Sequence, residues 1–100
     1  MGVRSRSKVT GAQFGLSVTS STVVTLTVPA QAAMVAEIYV RTAPVVFKRD
    51  STDPTATAGI QANAGDIIVL NSRDELENFK VIAVSTTATV DVEYFTDVSG

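Results

Sequence analysis

The sequence contains no cysteine, no histidine and no tryptophan among its 100 residues. Histidine is the commonest general base at neutral pH, and cysteine is the best protein nucleophile. Both residues are also the usual ligands of zinc, and without cysteine the chain forms no disulfide. These absences argue against an enzyme, so we expect no catalytic residue, no bound metal and no cofactor.

Long apolar runs are missing as well. The longest weakly polar stretch, PAQAAMVAEIYV, includes Glu37 and is far shorter than the roughly 20 apolar residues of a membrane helix. The chain opens with Met-Gly, as a myristoylation motif does, but that motif requires Ser or Thr at the sixth position and Arg6 stands there. The glycines are scattered rather than clustered as in a phosphate-binding loop. We expect neither a membrane partner nor a bound nucleotide.

What the sequence does contain is a period-two pattern along most of its length. Met34 falls on the same side as Ala36, Ile38 and Val40, which predicts a half-buried strand over 34–41. The stretch PAQAAMVAE also suits a helix, but the β-branched and aromatic residues that follow favour the strand. A continuous apolar run, IIVLN, is typical of a strand covered on both faces. We place that strand at the centre of a sheet or of an interface.

The rest of the sequence also predicts strands, so the fold is expected to be all-β. With 34–41 and IIVLN (67–71), strands are predicted at 13–19, 22–28, 45–49, 57–62, 79–85 and 88–95, about eight in all. Turn residues separate them at the regular spacing of an antiparallel sandwich or barrel. RDELEN (73–78) favours one short helical turn across an end. We predict an antiparallel β-sandwich, jelly-roll-like or Ig-like, over 13–100 with an extended N-terminal arm over 1–12.

The arm concentrates positive charge. Arg4, Arg6 and Lys8 are three of the eight basic residues in a chain of net charge −2, and the rest holds 5 basic and 10 acidic residues, a net charge of −5. That body repels a polyanion, and three charges bind phosphates weakly, so we expect no nucleic-acid partner. The arm better suits the acidic surface of a neighbouring subunit. A solvated tail is the alternative.

Carboxylates are the only side chains suited to catalysis. A glycosidase needs two of them about 5 to 10 Å apart in a cleft. Glu37, Asp91 and Glu93 instead occupy the polar register of strands, which predicts a solvated or subunit-facing surface. Along 88–95 this alternation is clearest, with Val90, Val92 and Tyr94 on the inner side and Thr89, Asp91, Glu93 and Phe95 on the outer side. Asp50 and Asp53 could ligate calcium from their loop, but Asp-Pro in a Ser/Thr-rich stretch favours an ordinary turn.

Apolar side chains also occupy the register that faces outward, and they form a patch too large for a free monomer. We therefore predict self-association. The candidate subunit-interface residues are Val35, Tyr39, Ile67, Val69 and Phe95, together with Arg4, Arg6 and Lys8.

The region from Ala36 to Phe95 resembles small structural proteins of tailed bacteriophages. The likeness rests on an Ala-Gly-Asp turn before an apolar strand (NAGDIIVLN), an Asn-Phe-Lys start to the next strand (ELENFKVIAVS) and a last strand ending in Tyr-Phe (ATVDVEYF). The resemblance implies a non-enzymatic virion component. The first role that it implies is that of a decoration or cement protein, which binds the major capsid protein or other virion subunits at the capsid surface as a homotrimer. The alternative role is that of a tail, neck or fibre-tip module, which binds a receptor or glycan through the 50–57 loop.

Overall fold

The computed structural model describes residues 5–28 and 33–98. For residues 5–8, 10, 97 and 98 it describes the backbone alone. Arg4 lies outside the described residues. The elements in the described part are β1 (Ser5–Val18), β2 (Val24–Thr25), β3 (Ala33–Val40), β4 (Val45–Lys48), β5 (Ile60–Ala62), β6 (Ile67–Leu70), α1 (Arg73–Asn78), β7 (Lys80–Ala83) and β8 (Ala88–Val98). The predicted strand over 34–41 is confirmed against the helical alternative.

The strands form two four-stranded antiparallel sheets. The first sheet has the order β1-β8-β3-β6 and the second has the order β2-β7-β4-β5. The pairs β1–β8, β2–β7, β3–β6 and β4–β5 are nested along the chain, as in one long antiparallel ribbon folded over into two layers. This winding is that of a jelly roll. The predicted all-β sandwich is confirmed, in the jelly-roll form of the two that the pattern allowed.

Alternate side chains of both sheets fill the space between the layers. On β8 the inward residues are Ala88, Val90, Val92 and Tyr94, each at most 1% exposed. The predicted alternation of β8 is therefore confirmed. Burying such side chains contributes about 1.5–3 kcal/mol each for the larger aliphatic residues.

The short helix α1 crosses one end of the sandwich, as its sequence predicted. The Ser72 hydroxyl accepts the backbone N–H of Glu75 at 3.2 Å, and the Glu75 carboxylate accepts the backbone N–H of Asn71 at 2.8 Å. These hydrogen bonds satisfy donors that the first turn leaves without helical partners. The helix thereby holds Leu76, which is 1% exposed, in the core between the sheets.

The strand β6 is the outermost strand of the first sheet, so its expected position at a sheet centre is wrong. Ile68 and Leu70 are buried in the core, but Ile67 on the other side is 55% exposed. A continuous apolar run does not distinguish a strand covered on both faces from an edge strand with an apolar outer side. The other expectation, that this run is the centre of an interface, stays a prediction.

The expected inward position of Met34 is also wrong. The ladder between β3 and β8 shifts register between Ala33 and Val35. An extra residue in one strand reverses the alternation on one side of the bulge. Ala33 is therefore fully buried in the core, and Met34 is 37% exposed.

Residues 5–12, which the sequence assigned to an arm, belong to β1. The strand runs from Ser5 to Val18 without a break at the expected boundary and pairs with β8 along its length, with three register shifts. The backbones of Arg6 and Lys8 take part in this ladder. From Ser5 onward this segment is therefore an extended strand paired within its own chain. Local spacing does not reveal the pairing, because the partner strand β8 lies at the far end of the sequence.

Candidate functional site

The candidate site is the side of the first sheet that points away from the core, which we call the outer face. Register partners in a sheet share a side, so the ladders identify its members. The outer face carries Val9, Ala12, Val35, Glu37, Tyr39, Ile67, Val69, Asp91, Glu93 and Phe95. The alternate residues of the same strands form the core.

One end of the outer face is an apolar row across three strands. Val9 of β1 is opposite Phe95 of β8, and Phe95 is opposite Val35 of β3. Val35 and Phe95 are each 8% exposed, whereas Val9 is 51% exposed. The row therefore combines a packed centre with an open end, and Met34 next to Val35 adds further exposed apolar surface.

The middle of the outer face is acidic. Glu93 of β8 is directly opposite Glu37 of β3, and Glu37 is opposite Val69 of β6. The Tyr39 hydroxyl donates a hydrogen bond to the Glu37 carboxylate. This row therefore concentrates negative charge at the middle of the face, on directly opposite positions of two strands.

The other end of the outer face combines an acid with apolar groups. Asp91 is opposite Tyr39, and Tyr39 is opposite Ile67. One Asp91 oxygen lies 3.4 Å from Nη1 of Arg41, and the other accepts the backbone N–H of Gly15 at 2.8 Å. Gly15 has a φ of 70°, which glycine adopts without strain, and it lies at an irregularity of β1. The Gly15 hydrogen bond anchors the edge strand to this end of the face.

The structure brings five of the predicted interface residues together. They are Val35, Tyr39, Ile67, Val69 and Phe95, all on the outer sides of three adjacent strands. Glu37, Asp91 and Glu93 share the same surface. For Arg6 and Lys8 only the backbone is described, and Arg4 lies outside the described residues. Apolar side chains and carboxylates thus share one surface, and these are groups that protein interfaces use for apolar contact and for charge complementarity.

The second sheet differs, because its outward side is covered by the connection between β4 and β5. Pro54 in that connection is buried, and Gly59 lies so close to Val46 that an added Cβ would be 2.5 Å from its Cγ1. Val46 and Ile82, which face outward from this sheet, are only 2% and 9% exposed. In the described part of the chain, no such connection covers the outer face of the first sheet at β6, and Ile67 there is exposed to solvent.

The 50–57 loop forms the turn that its sequence favoured. The Asp50 carboxylate accepts hydrogen bonds from the backbone N–H and the hydroxyl of Thr52, and these bonds lower the pKa of Asp50. Asp53 pairs with Nζ of Lys80 at 2.9 Å. No three acidic groups in the described residues converge on a point that could hold a metal ion. Asp50 thus fixes the turn within the loop, and Asp53 ties the loop to β7 of the second sheet.

A groove lies between the outermost strands of the two sheets, β5 and β6, and the sequence did not indicate it. Its lining residues are Phe47, Arg49, Ile60, Gln61, Ala62, Asp66, Ile67, Ile68 and Val69. Other exposed apolar residues that sequence reasoning missed are Val9 and Phe14 on β1, at 51% and 69% exposed. Gly15 next to Phe14 was the one local signal of an irregular strand there.

Comparisons with known proteins add no relative. No helix among the described residues is long and apolar enough to span a membrane. Neither a family model, nor a curated protein, nor a solved structure matches the chain.

Proposed function

We propose that this chain is a non-enzymatic structural subunit of a virion and that it binds other virion subunits through the outer face. The observation that supports this most is the composition of that face. It joins an apolar row, Val9–Phe95–Val35, to the acidic row of Glu93 and Glu37 on adjacent strands. Neither row is needed to fill the core, which lies on the other side of the same sheet.

The mechanism is energetic rather than chemical. Burying the exposed parts of Val9, Met34 and Ile67 against a partner contributes about 25 cal/mol per Å² of apolar surface removed from water. The carboxylates select a partner surface that is neutral or basic and disfavour an acidic one. A modest gain for each contact becomes large when a shell carries many copies.

The proposed location of the protein within the virion is based on the resemblance to phage structural proteins. We propose a decoration or cement protein that binds the major capsid protein at the capsid surface, as a homotrimer. The jelly roll is a scaffold that viral capsid proteins use, although lectins use it as well. The fold is therefore compatible with the proposal, and the outer face is what distinguishes it.

The basic segment has a revised part in this proposal. Because β1 is paired with β8 from Ser5 onward, the backbones of Arg6 and Lys8 belong to the strand that borders the first sheet instead of to a free arm. We propose that this border contributes to the same contact as the outer face. Deleting residues 1–8 then removes both the basic border and three residues of β1 that have register partners on β8, namely Ser5, Arg6 and Lys8.

The test is reconstitution of shells that lack the protein. Glu93→Lys and Val9→Asp change the outer face, and Thr57→Asp changes an exposed position in the loop over the second sheet as a matched control. We expect the control to bind shells and to raise their thermal stability as the unchanged protein does, and we expect both outer-face variants to lose binding. Outer-face variants that bind normally would refute the proposal. Glycan binding that only the loop variant loses would instead favour the fibre-tip module.

A further inference from the structure

We propose that the groove between β5 and β6 is a docking site for a second copy of this chain, related by a two-fold axis, in which Arg49 of one copy pairs with Asp66 of the other. This contact shares Ile67 and Val69 with the outer face, but its charged residues, Arg49 and Asp66, and its β5 side lie outside that face. It therefore stands or falls independently of the proposed function.

The centre of the groove is apolar and open. Two aliphatic side chains flank the groove, Ile60 of β5 and Ile67 of β6. They are 49% and 55% exposed. Phe47 and Ile68 lie beneath them, each 6% exposed. An exposed apolar centre over a packed floor is the arrangement found at the middle of protein interfaces.

The two ends of the groove carry opposite charges. Arg49 follows the last residue of β4 at the end where β5 begins, and its guanidinium lies 5.9 Å from the centre of the Phe47 ring. Asp66 closes the turn between β5 and β6 at the opposite end, where it accepts the backbone N–H of Asn63 at 2.8 Å. Among the described residues, neither Arg49 nor Asp66 forms an ion pair.

This charge pattern identifies the occupant as a second copy. A two-fold rotation exchanges the ends of the groove, so it places each Arg49 against the Asp66 of the other copy and packs Ile60 and Ile67 at the centre. The outer face lacks this property, because Glu37 and Glu93 lie together at its middle and would meet their own kind. The groove is thus the self-complementary surface of the chain.

The experiment is a charge exchange measured by sedimentation velocity over a concentration series. The unchanged protein is expected to pair reversibly through the groove, and if the proposed homotrimer forms through another surface, the same contact joins two trimers. Arg49→Glu and Asp66→Lys are each expected to be monomeric alone, since each dimer then holds two like-charge contacts. An equimolar mixture of the two variants is expected to dimerise again, because both end contacts in the mixed dimer join opposite charges.

Two further variants separate loss of binding from loss of folding. Asp66→Asn keeps an acceptor for the Asn63 N–H and removes only the charge, so it should retain the thermal unfolding midpoint. It should weaken the dimer about tenfold, which corresponds to the loss of two ion pairs. Glu77→Lys on α1 makes the same charge change as Asp66→Lys away from the groove, and should leave the dimer unchanged.

The outcomes are decisive in both directions. An unchanged protein that remains monomeric over the whole series would overturn the inference, and so would a folded pair of variants whose mixture fails to associate. A trimer that shows no further pairing over the series would also overturn it. Shell binding by the outer-face variants does not enter these measurements, so the two proposals can fail separately.

Discussion

Glu37 of β3 lies directly opposite Glu93 of β8, in the middle of the outer face of the first sheet. Two carboxylates at register positions on neighbouring strands repel each other and lower the stability of the pair. The Tyr39 hydroxyl donates a hydrogen bond to Glu37, which adds to the polar contacts of this row. Local rules of stability tend to be broken at functional surfaces, and this pair is the clearest such position on the face.

The first prediction concerns this pair. Glu93→Gln removes the like-charge repulsion and should raise the free energy of unfolding by about 0.2–1 kcal/mol. For a domain of this size, that gain corresponds to a rise of about 1 to 8 °C in the midpoint of thermal unfolding. Glu77→Gln is the control, because it removes the same charge from an ion pair with Arg73 at 2.9 Å. A fall in the midpoint of Glu93→Gln would contradict the repulsion.

The second prediction concerns the buried tyrosine of β8. Tyr94 is 1% exposed, and its hydroxyl donates to Oε1 of Gln13, which also accepts the backbone N–H of Thr27 at 3.2 Å. This contact joins β8 and β1 to the segment after β2. Tyr94→Phe should lower the free energy of unfolding by about 1 kcal/mol at pH 7, as measured by urea titration.

The same residue predicts a pH dependence. Burial raises the pKa of Tyr94 from 10.0 to about 12. The unfolded chain then loses this proton at a lower pH than the folded chain, so the stability is fully present below pH 10 and falls as the pH rises toward 12. The loss is on the order of 2 kcal/mol. Tyr94→Phe lacks this loss, so the stability difference between the two proteins should shrink above pH 10 and change sign as the pH approaches 12, and a constant difference would refute the assignment.

The third prediction tests the cover over the second sheet. Gly59 has a φ of 139°, and a Cβ there would lie 2.5 Å from Cγ1 of Val46 and 2.9 Å from the carbonyl oxygen of Phe47. Gly59→Ala should therefore cost about 2 kcal/mol or more, through both backbone strain and the clash. Gly65→Ala is the matched control, since Gly65 also has a positive φ, of 96°, but has open space around it. Its cost should be about 1 kcal/mol. Equal losses in chemical denaturation would show that the loop does not pack on Val46.

The fourth prediction concerns the helix at the end of the sandwich. Leu76 is 1% exposed and belongs to the core cluster, so Leu76→Ala should lower the free energy of unfolding by about 2–5 kcal/mol. Glu77→Ala on the same helix changes a side chain that is 57% exposed, and should change stability by less than about 1 kcal/mol. Comparable losses at both positions would mean that α1 does not close the core.

The sequence predicted the local parts of the fold well, because local spacing carries that information. Alternation over 88–95 placed Tyr94 inside and Glu93 outside, and the acidic first turn of RDELEN marked α1. Alternation failed at Met34, where a bulge against β8 reverses the side on which residues lie. It also failed to show that Ile67 belongs to an edge strand, since a strand's own residues do not state how many neighbours it has.

By itself, the sequence determined that the chain forms an all-β sandwich with apolar residues left over on an outward register. Only the tertiary structure decided where that surplus lies, because strand partners are far apart in the chain, as the hydrogen bond between Gly15 and Asp91 illustrates. Nested pairing placed β3 between β8 and β6, and thereby joined Phe95, Val35 and Val69 on one face. The same winding made β5 and β6 the edges of opposite sheets, and so placed Arg49 and Asp66 at the two ends of one groove.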